Sequence, residues 1–275
     1  MTIKTILTHA EPGGRSTLRI AAAAALARDF DALLLGMAAE AIPPIATADP
    51  YGFGMGQWIP LLYEQQGKNL ETARQLFEAQ ASGTRTEWRS SGEMPTLAMA
   101  RAARAADLIV TGASPHDGSD NYTQIDTGEL ILTAGRPVLV VPSDGHALKP
   151  RKILIAWKDC REARRAVADA LPFLEKADET LILALSIQED HDAAQAQAAD
   201  VAAMLERHGI KNLSVKADIA APDSINQVLM ETVERQATDL IVAGGYGHSR
   251  AYEWVLGGVT RHLLTLGKHY VLFSH

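Results

Sequence analysis

Short apolar runs alternate along the chain with longer stretches of helical spacing. In the second half, residues 152–157, 179–186, 212–218, 239–244 and 269–274 read as strands. Between them, residues 161–175, 192–208, 223–236 and 252–265 carry apolar positions at the 3.6-residue period of helices. The runs "ILIAW", "LILAL" and "LIVAG" are apolar throughout instead of alternating. Strands of that kind are covered on both faces, and their regular alternation with helices predicts a parallel, doubly wound α/β sheet.

The pattern occurs twice. "TILTHAE" (5–11) matches "KILIAWK" (152–158), "ADLIVTGAS" (106–114) matches "TDLIVAGGY" (238–246), and "RPVLVVPS" (136–143) matches "HYVLFSH" (269–275). A repeated order of blocks points to a tandem duplication. The expected organisation is two five-stranded parallel-sheet domains, residues 1–144 and 151–275, joined by the polar stretch "SDGHALKP" (143–150). The offset between copies falls from 147 to 132 along the chain, which puts extra residues between the first and fourth strands of the first copy. The segment 41–60 is the expected place, and its Pro and Gly content predicts neither a continuous helix nor a regular strand. Its Tyr51, Phe53 and Trp58 fit a surface loop with docked aromatics better than a lid.

Composition narrows the function classes. With 275 residues and 47% hydrophobic content, the chain suits two globular domains. No apolar run approaches the roughly 18 residues of a membrane span. The opening "MTIKTILTHAEPGG" has no leader pattern, so a cytoplasmic protein without membrane contact is expected. A formal charge of -7 argues against nucleic-acid binding, which needs a basic face. The single cysteine, Cys160, excludes an internal disulfide. It precedes a predicted helix beside Arg161, where the dipole lowers a thiol pKa, but a small residue in a strand-to-helix turn is the favoured reading. The nine histidines form no HxxxH pair, so no dedicated metal site is expected.

In doubly wound sheets ligands bind beyond the carboxyl ends of the strands, where the strand order reverses. The loops after the first and fourth strands of the second copy are "WKDCRE" and "GGYGHSRAYEWVLGGVT". The latter places Gly244, Gly247 and Gly257 at the spacing G-x2-G-x9-G between a strand and a helix. Glycines there allow close backbone approach, and a helix start offers free N–H donors to an anion. No GK[ST] follows, and Arg250 stands where a dinucleotide fingerprint has its third glycine, so neither of those phosphate motifs applies. On glycine content alone, a phosphate cradle and a tight turn are evenly matched.

The strand end "ILIAWK", the run "DLIVAGGYG", the glycine spacing and the terminal "VLFSH" together resemble the universal stress protein family in its tandem form, across both halves. The resemblance implies ATP or a related adenine nucleotide, with or without Mg, in the C-terminal domain. Phosphates would lie on Gly244, Gly247, Gly257, Gly258 and Val259, with Tyr246, His248 and Arg250 at the rim and Thr260 as a further donor. Ala156, Trp157, Lys158 and Asp159 would border the base and ribose. Two positions depart from the family pattern: Gly258 replaces a Ser or Thr, and Lys158 replaces an acidic residue. The first copy departs further, with Pro115 in place of the second glycine and Asp117, Asp120 and Asp126 set to repel phosphate. It keeps Gly112, Gly128 and an acidic residue, Glu11, with His9 nearby, and is expected to be an altered, regulatory half.

The implied role is a stress-response sensor or regulator with at most slow ATP hydrolysis. "PVLVVP" and "YVLFSH" are expected to pair the two domains, an arrangement compatible with homodimers and with regulatory protein partners. Two alternatives stay open. One is a weak ATP hydrolase or nucleotidyl-transfer enzyme using Asp159, Asp218 or Asp223, although Asp223 reads first as a helix N-cap. The other is a nucleotide-free protein-interaction module.

Overall fold

The apolar runs form the middle of one sheet. The structure, a computed structural model, describes residues 2–44, 55–113, 122–144, 147–187, 190–246 and 257–275. The first half runs β1 (Thr5–His9), α1 (Gly14–Asp29), β2 (Leu33–Ala39), α2 (Met55–Gln80), β3 (Thr86–Ser91), α3 (Pro95–Ala102), β4 (Leu108–Gly112), α4 (Thr127–Thr133) and β5 (Val138–Val141). The second repeats it with β6 (Lys152–Trp157), α5 (Arg161–Leu174), β7 (Glu179–Ser186), α6 (His191–Arg207), β8 (Leu213–Ile219), α7 (Ile225–Gln236), β9 (Leu240–Gly244), α8 (Gly257–Leu266) and β10 (Tyr270–Ser274).

The strand order is β3-β2-β1-β4-β5-β10-β9-β6-β7-β8, parallel within each half. At the centre β5 and β10 run antiparallel, with Val138 opposite Phe273, Leu139 opposite Leu272 and Val140 opposite Val271. Every residue of both strands is buried. The two terminal strands therefore pair as the sequence suggests, and neither leaves an open edge. The outer strands β3 and β8 carry charge instead, including Glu87 with Arg89 and Lys216 with Asp218. Apolar side chains fill both faces of the sheet, in keeping with strands that do not alternate.

The repeated Asp-Leu-Ile-Val has a structural job in each half. Asp107 Oδ2 accepts the backbone N–H groups of Lys4 and Thr5 at 2.8 and 2.9 Å. Asp239 Oδ2 accepts those of Arg151 and Lys152 at 3.1 and 2.8 Å. Each aspartate thus fixes the entry to the half's first strand against its fourth.

Three sequence expectations are corrected. Residues 55–60 belong to α2, which reaches 26 residues against 17 for α6 and contains Pro60 near its start. Trp58 is 65% exposed and is not docked. Asp223 is not an N-cap: α7 starts at Ile225 after Ser224, whose hydroxyl bonds Ala221 O at 3.0 Å within a preceding turn. Tyr51 and Phe53 lie outside the described residues. No described helix is long and apolar enough to cross a membrane.

Candidate functional site

Strand order reverses between β1 and β4 in the first half and between β6 and β9 in the second. These equivalent crevices differ. In the first half a cavity of about 680 Å³ opens between the ends of β1, β2 and β4, helix α1, helix α2 and residues 264–267. That volume falls within the range of small-molecule sites, roughly 300–1,000 Å³.

Arg19 organises this cavity. It sits on the buried face of α1, 7% exposed, in line with Ser16, Ile20 and Ala23. Its Nε donates to His9 O at 2.9 Å, and its Nη2 donates to Glu11 Oε1 at 3.2 Å and Ser16 Oγ at 3.4 Å. Ser16 Oγ also accepts Glu11 N–H at 3.1 Å. Residues 9–11 are thereby tied to α1. A Cβ at Gly112 would come 3.3 Å from Arg19 Nη1, so the glycine leaves space for the guanidinium. Thr127 Oγ1 donates to Gly112 O at 2.9 Å and closes β4 against α4.

His9 lines the cavity at 1% exposure, and neither ring nitrogen has a hydrogen-bond partner. Burial, reinforced by the Arg19 charge, pushes its pKa well below the usual histidine range. The ring is therefore neutral, and Glu11 Oε2 at 3.8 Å from Nδ1 is a neighbour without an ion pair. Farther round, the Glu40 carboxylate accepts Asn69 Nδ2 at 2.9 and 3.0 Å.

In the second half the end of β9 packs closely on α5, and the loop residues 247–256 lie outside the described residues. A Cβ at Gly244 would meet Ala163 N at 2.7 Å and Glu162 C at 2.9 Å, both backbone atoms in the first turn of α5. Glu162 is buried beneath this contact at 2% exposure. The next glycine is equally constrained, since a Cβ at Gly245 would lie 2.5 Å from Ile131 Cγ2 of α4.

No protein-family model matches the chain, and no curated protein does. Solved structures do match over its full length. A universal stress protein from Archaeoglobus fulgidus aligns with 98% of this chain and 94% of its own, at a TM-score of 0.62 and 15% identity. The chain has the tandem universal stress protein fold. A functionally unknown protein from Pseudomonas aeruginosa aligns with 98% of this chain and 92% of its own, at a TM-score of 0.57 and 15% identity.

On this universal stress protein fold the expected site residues separate. Ala156 and Trp157 end β6, with Trp157 buried in the core and its Nε1 unpartnered. Lys158 and Asp159 are exposed, and Asp159 is held by Arg164 Nε at 3.0 Å. Gly244 ends β9 and Gly257 opens α8, followed by Gly258, buried Val259 and buried Thr260. Gly247, His248 and Arg250 lie outside the described residues. Tyr246 has a left-handed φ of 50°, and a Cβ at Gly128 in the other half would lie 2.6 Å from its hydroxyl. Burial, with the charge of Asp126, pushes the Tyr246 phenol up, while Arg261 acts in the opposite sense.

Cys160 is half-buried at the N-cap of α5, and burial raises its thiol pKa against the expectation from the dipole. Among the described residues no group of three or more His, Cys, Asp or Glu stands ready to hold a metal ion. Arg19, Ser16, Glu40 and Asn69 were not singled out from the sequence. The available signal was Ser16 and Arg19, two polar residues at i, i+3 spacing on the face that carries Ile20 and Ala23.

Proposed function

We propose that the protein is an adenine-nucleotide-binding regulator of the universal stress type, with ATP or a relative bound by its second half. One observation carries the reading. Gly244 ends β9 beside β6 at the switch point, and Gly257 and Gly258 of the same G-x2-G-x9-G spacing open the ten-residue α8. A helix start of that length offers free N–H donors to an anion. Gly247, His248 and Arg250 complete the phosphate cradle in this reading, and Thr260 supplies a hydroxyl within the first turn.

A second reading, the nucleotide-free interaction module, is favoured by the first turn of α5 packed on Gly244, where a ligand edge would otherwise enter. The two separate experimentally. Small molecules released from the denatured protein are identified by mass spectrometry, and ATP is then titrated into folded wild type and Gly247→Glu, with and without magnesium. Binding to wild type that the folded variant loses supports the regulator. No nucleotide on either protein leaves the interaction module.

A further inference from the structure

The outer edge of the second half matches a copy of itself. β8 ends the strand order, and among the described residues no strand lies beyond it. Asn212 O accepts Thr180 N–H at 3.1 Å and Ala220 N–H donates to Ser186 O at 2.9 Å, so the even-numbered residues direct their backbone groups to β7. The N–H and C=O groups of Leu213, Val215, Ala217 and Ile219 therefore point to the open edge.

Natural edges are blunted by proline, a bulge, short length or an uncompensated lysine. β8 has seven residues and no proline, its register with β7 is unbroken, and Lys216 is neutralised by Asp218 on the same face. On the opposite face Leu213 and Ala217 pack toward the core beneath α6, whereas Val215 and Ile219 are exposed. The other outer strand differs. β3 repeats the charge spacing with Glu87 and Arg89, but Trp88, packed on Phe77 at 5.2 Å between ring centroids, stands where β8 has Ala217, and β3 presents no exposed large apolar side chain.

In an antiparallel pair of β8 strands with its two-fold axis at Ala217, Val215 lies opposite the partner's Ile219 and Lys216 opposite the partner's Asp218. Val215, Ala217 and Ile219 then exchange hydrogen bonds through the groups that already face outward. The two Lys–Asp pairs fall at the closely spaced positions between them, roughly 4.5 Å apart at Cα. The alanine-rich α6 packs over β7 and β8 and is slim enough to lie beside its copy across the axis.

We propose that two copies of this chain associate through β8, continuing the sheet across a two-fold axis at Ala217. The interface is independent of the nucleotide reading, because neither switch point contributes to it. Sedimentation equilibrium of the full chain gives twice the chain mass at about 0.1 mM. Lys216→Asp and Asp218→Lys each replace two cross-strand attractions by two repulsions, and each weakens self-association about tenfold or more. Mixed in equal amounts, the two variants recover a dimer, because every carboxylate then faces an ammonium group. Ala217→Pro removes an N–H that faces outward, so it keeps the circular dichroism of wild type and loses association. In wild type the amide protons of Val215, Ala217 and Ile219 exchange more slowly as concentration rises, a readout that needs no variant. The proposal is overturned if wild type is a monomer at that concentration, if both charge variants stay dimeric, if their mixture associates no better than either alone, or if those three amides exchange at the same rate in dilute and concentrated protein.

Discussion

Two strand ends at equivalent positions in one sheet have different neighbours. Gly112 and Gly244 end the fourth strand of their halves and come from the same repeated block. Above Gly112 lies the guanidinium of Arg19, with a cavity beside it. Above Gly244 lies the backbone of α5. A glycine at a switch point is therefore ambiguous: it makes room either for a ligand or for a neighbouring helix.

The largest expected effect tests that difference directly. Gly244→Ala forces its Cβ to 2.7 Å from Ala163 N, where neither backbone can yield easily. A loss of about 3 kcal/mol in urea unfolding is expected. Gly112→Ala meets only Arg19 Nη1 at 3.3 Å and should cost less than about 1 kcal/mol, because a shift of a few tenths of an ångström relieves the contact. Equal losses would mean that the crevices are packed alike.

The next effect asks whether the second half serves a nucleotide through the start of α8. Among the described residues a Cβ at Gly258 would have no nearer neighbour than Asn226 Nδ2 at 3.9 Å, so serine fits there. On the nucleotide reading, Gly258→Ser adds a hydroxyl donor and raises ATP affinity by about one to two decades in calorimetry. On the interaction-module reading it changes nothing.

The first half carries a pH signature at His9, whose equivalent position in the second half is Ala156. The folded-state pKa of His9 is depressed, so its unfolded form gains a proton first as the solution is acidified. Stability is intact above the unfolded value near pH 6.5 and falls below it by about 1.4 kcal/mol per pH unit, until the folded pKa is reached. Urea unfolding from pH 7 down to pH 5 should show this slope in wild type and a shallower one in His9→Phe. The smallest effect concerns what the halves share. Asp107→Ala and Asp239→Ala each remove two backbone hydrogen bonds of the same design, and matched losses of about 1–2 kcal/mol are expected. Unequal losses would show that the halves contribute unevenly to one folding unit.

The sequence carried the architecture well because burial on both faces writes itself as unbroken apolar runs, and duplication repeats them. "LIVTG" and "LIVAG" occupy matching strands, and "VLVV" and "VLFS" meet at the centre. Pro60 misled at the other scale, because a 26-residue helix absorbs the loss of the single ladder hydrogen bond that a proline at its sixth position removes. The open cavity was hardest to read, since it depends on where Arg19 reaches and on how closely α5 approaches Gly244. Local spacing does not encode those distances. Arg19 looks like any surface arginine until the helix is laid on the sheet.

The antiparallel meeting of β5 and β10 has a practical consequence for anyone who wishes to take the molecule apart. A cut within residues 143–150 separates two fragments that each end in a fully buried strand with one unsatisfied side. Such fragments, made as separate polypeptides, have matched adhesive borders. They can reassemble into the original pair or into pairs of like pieces, so the chain offers a ready-made split protein whose joining reports on whatever is fused to its ends.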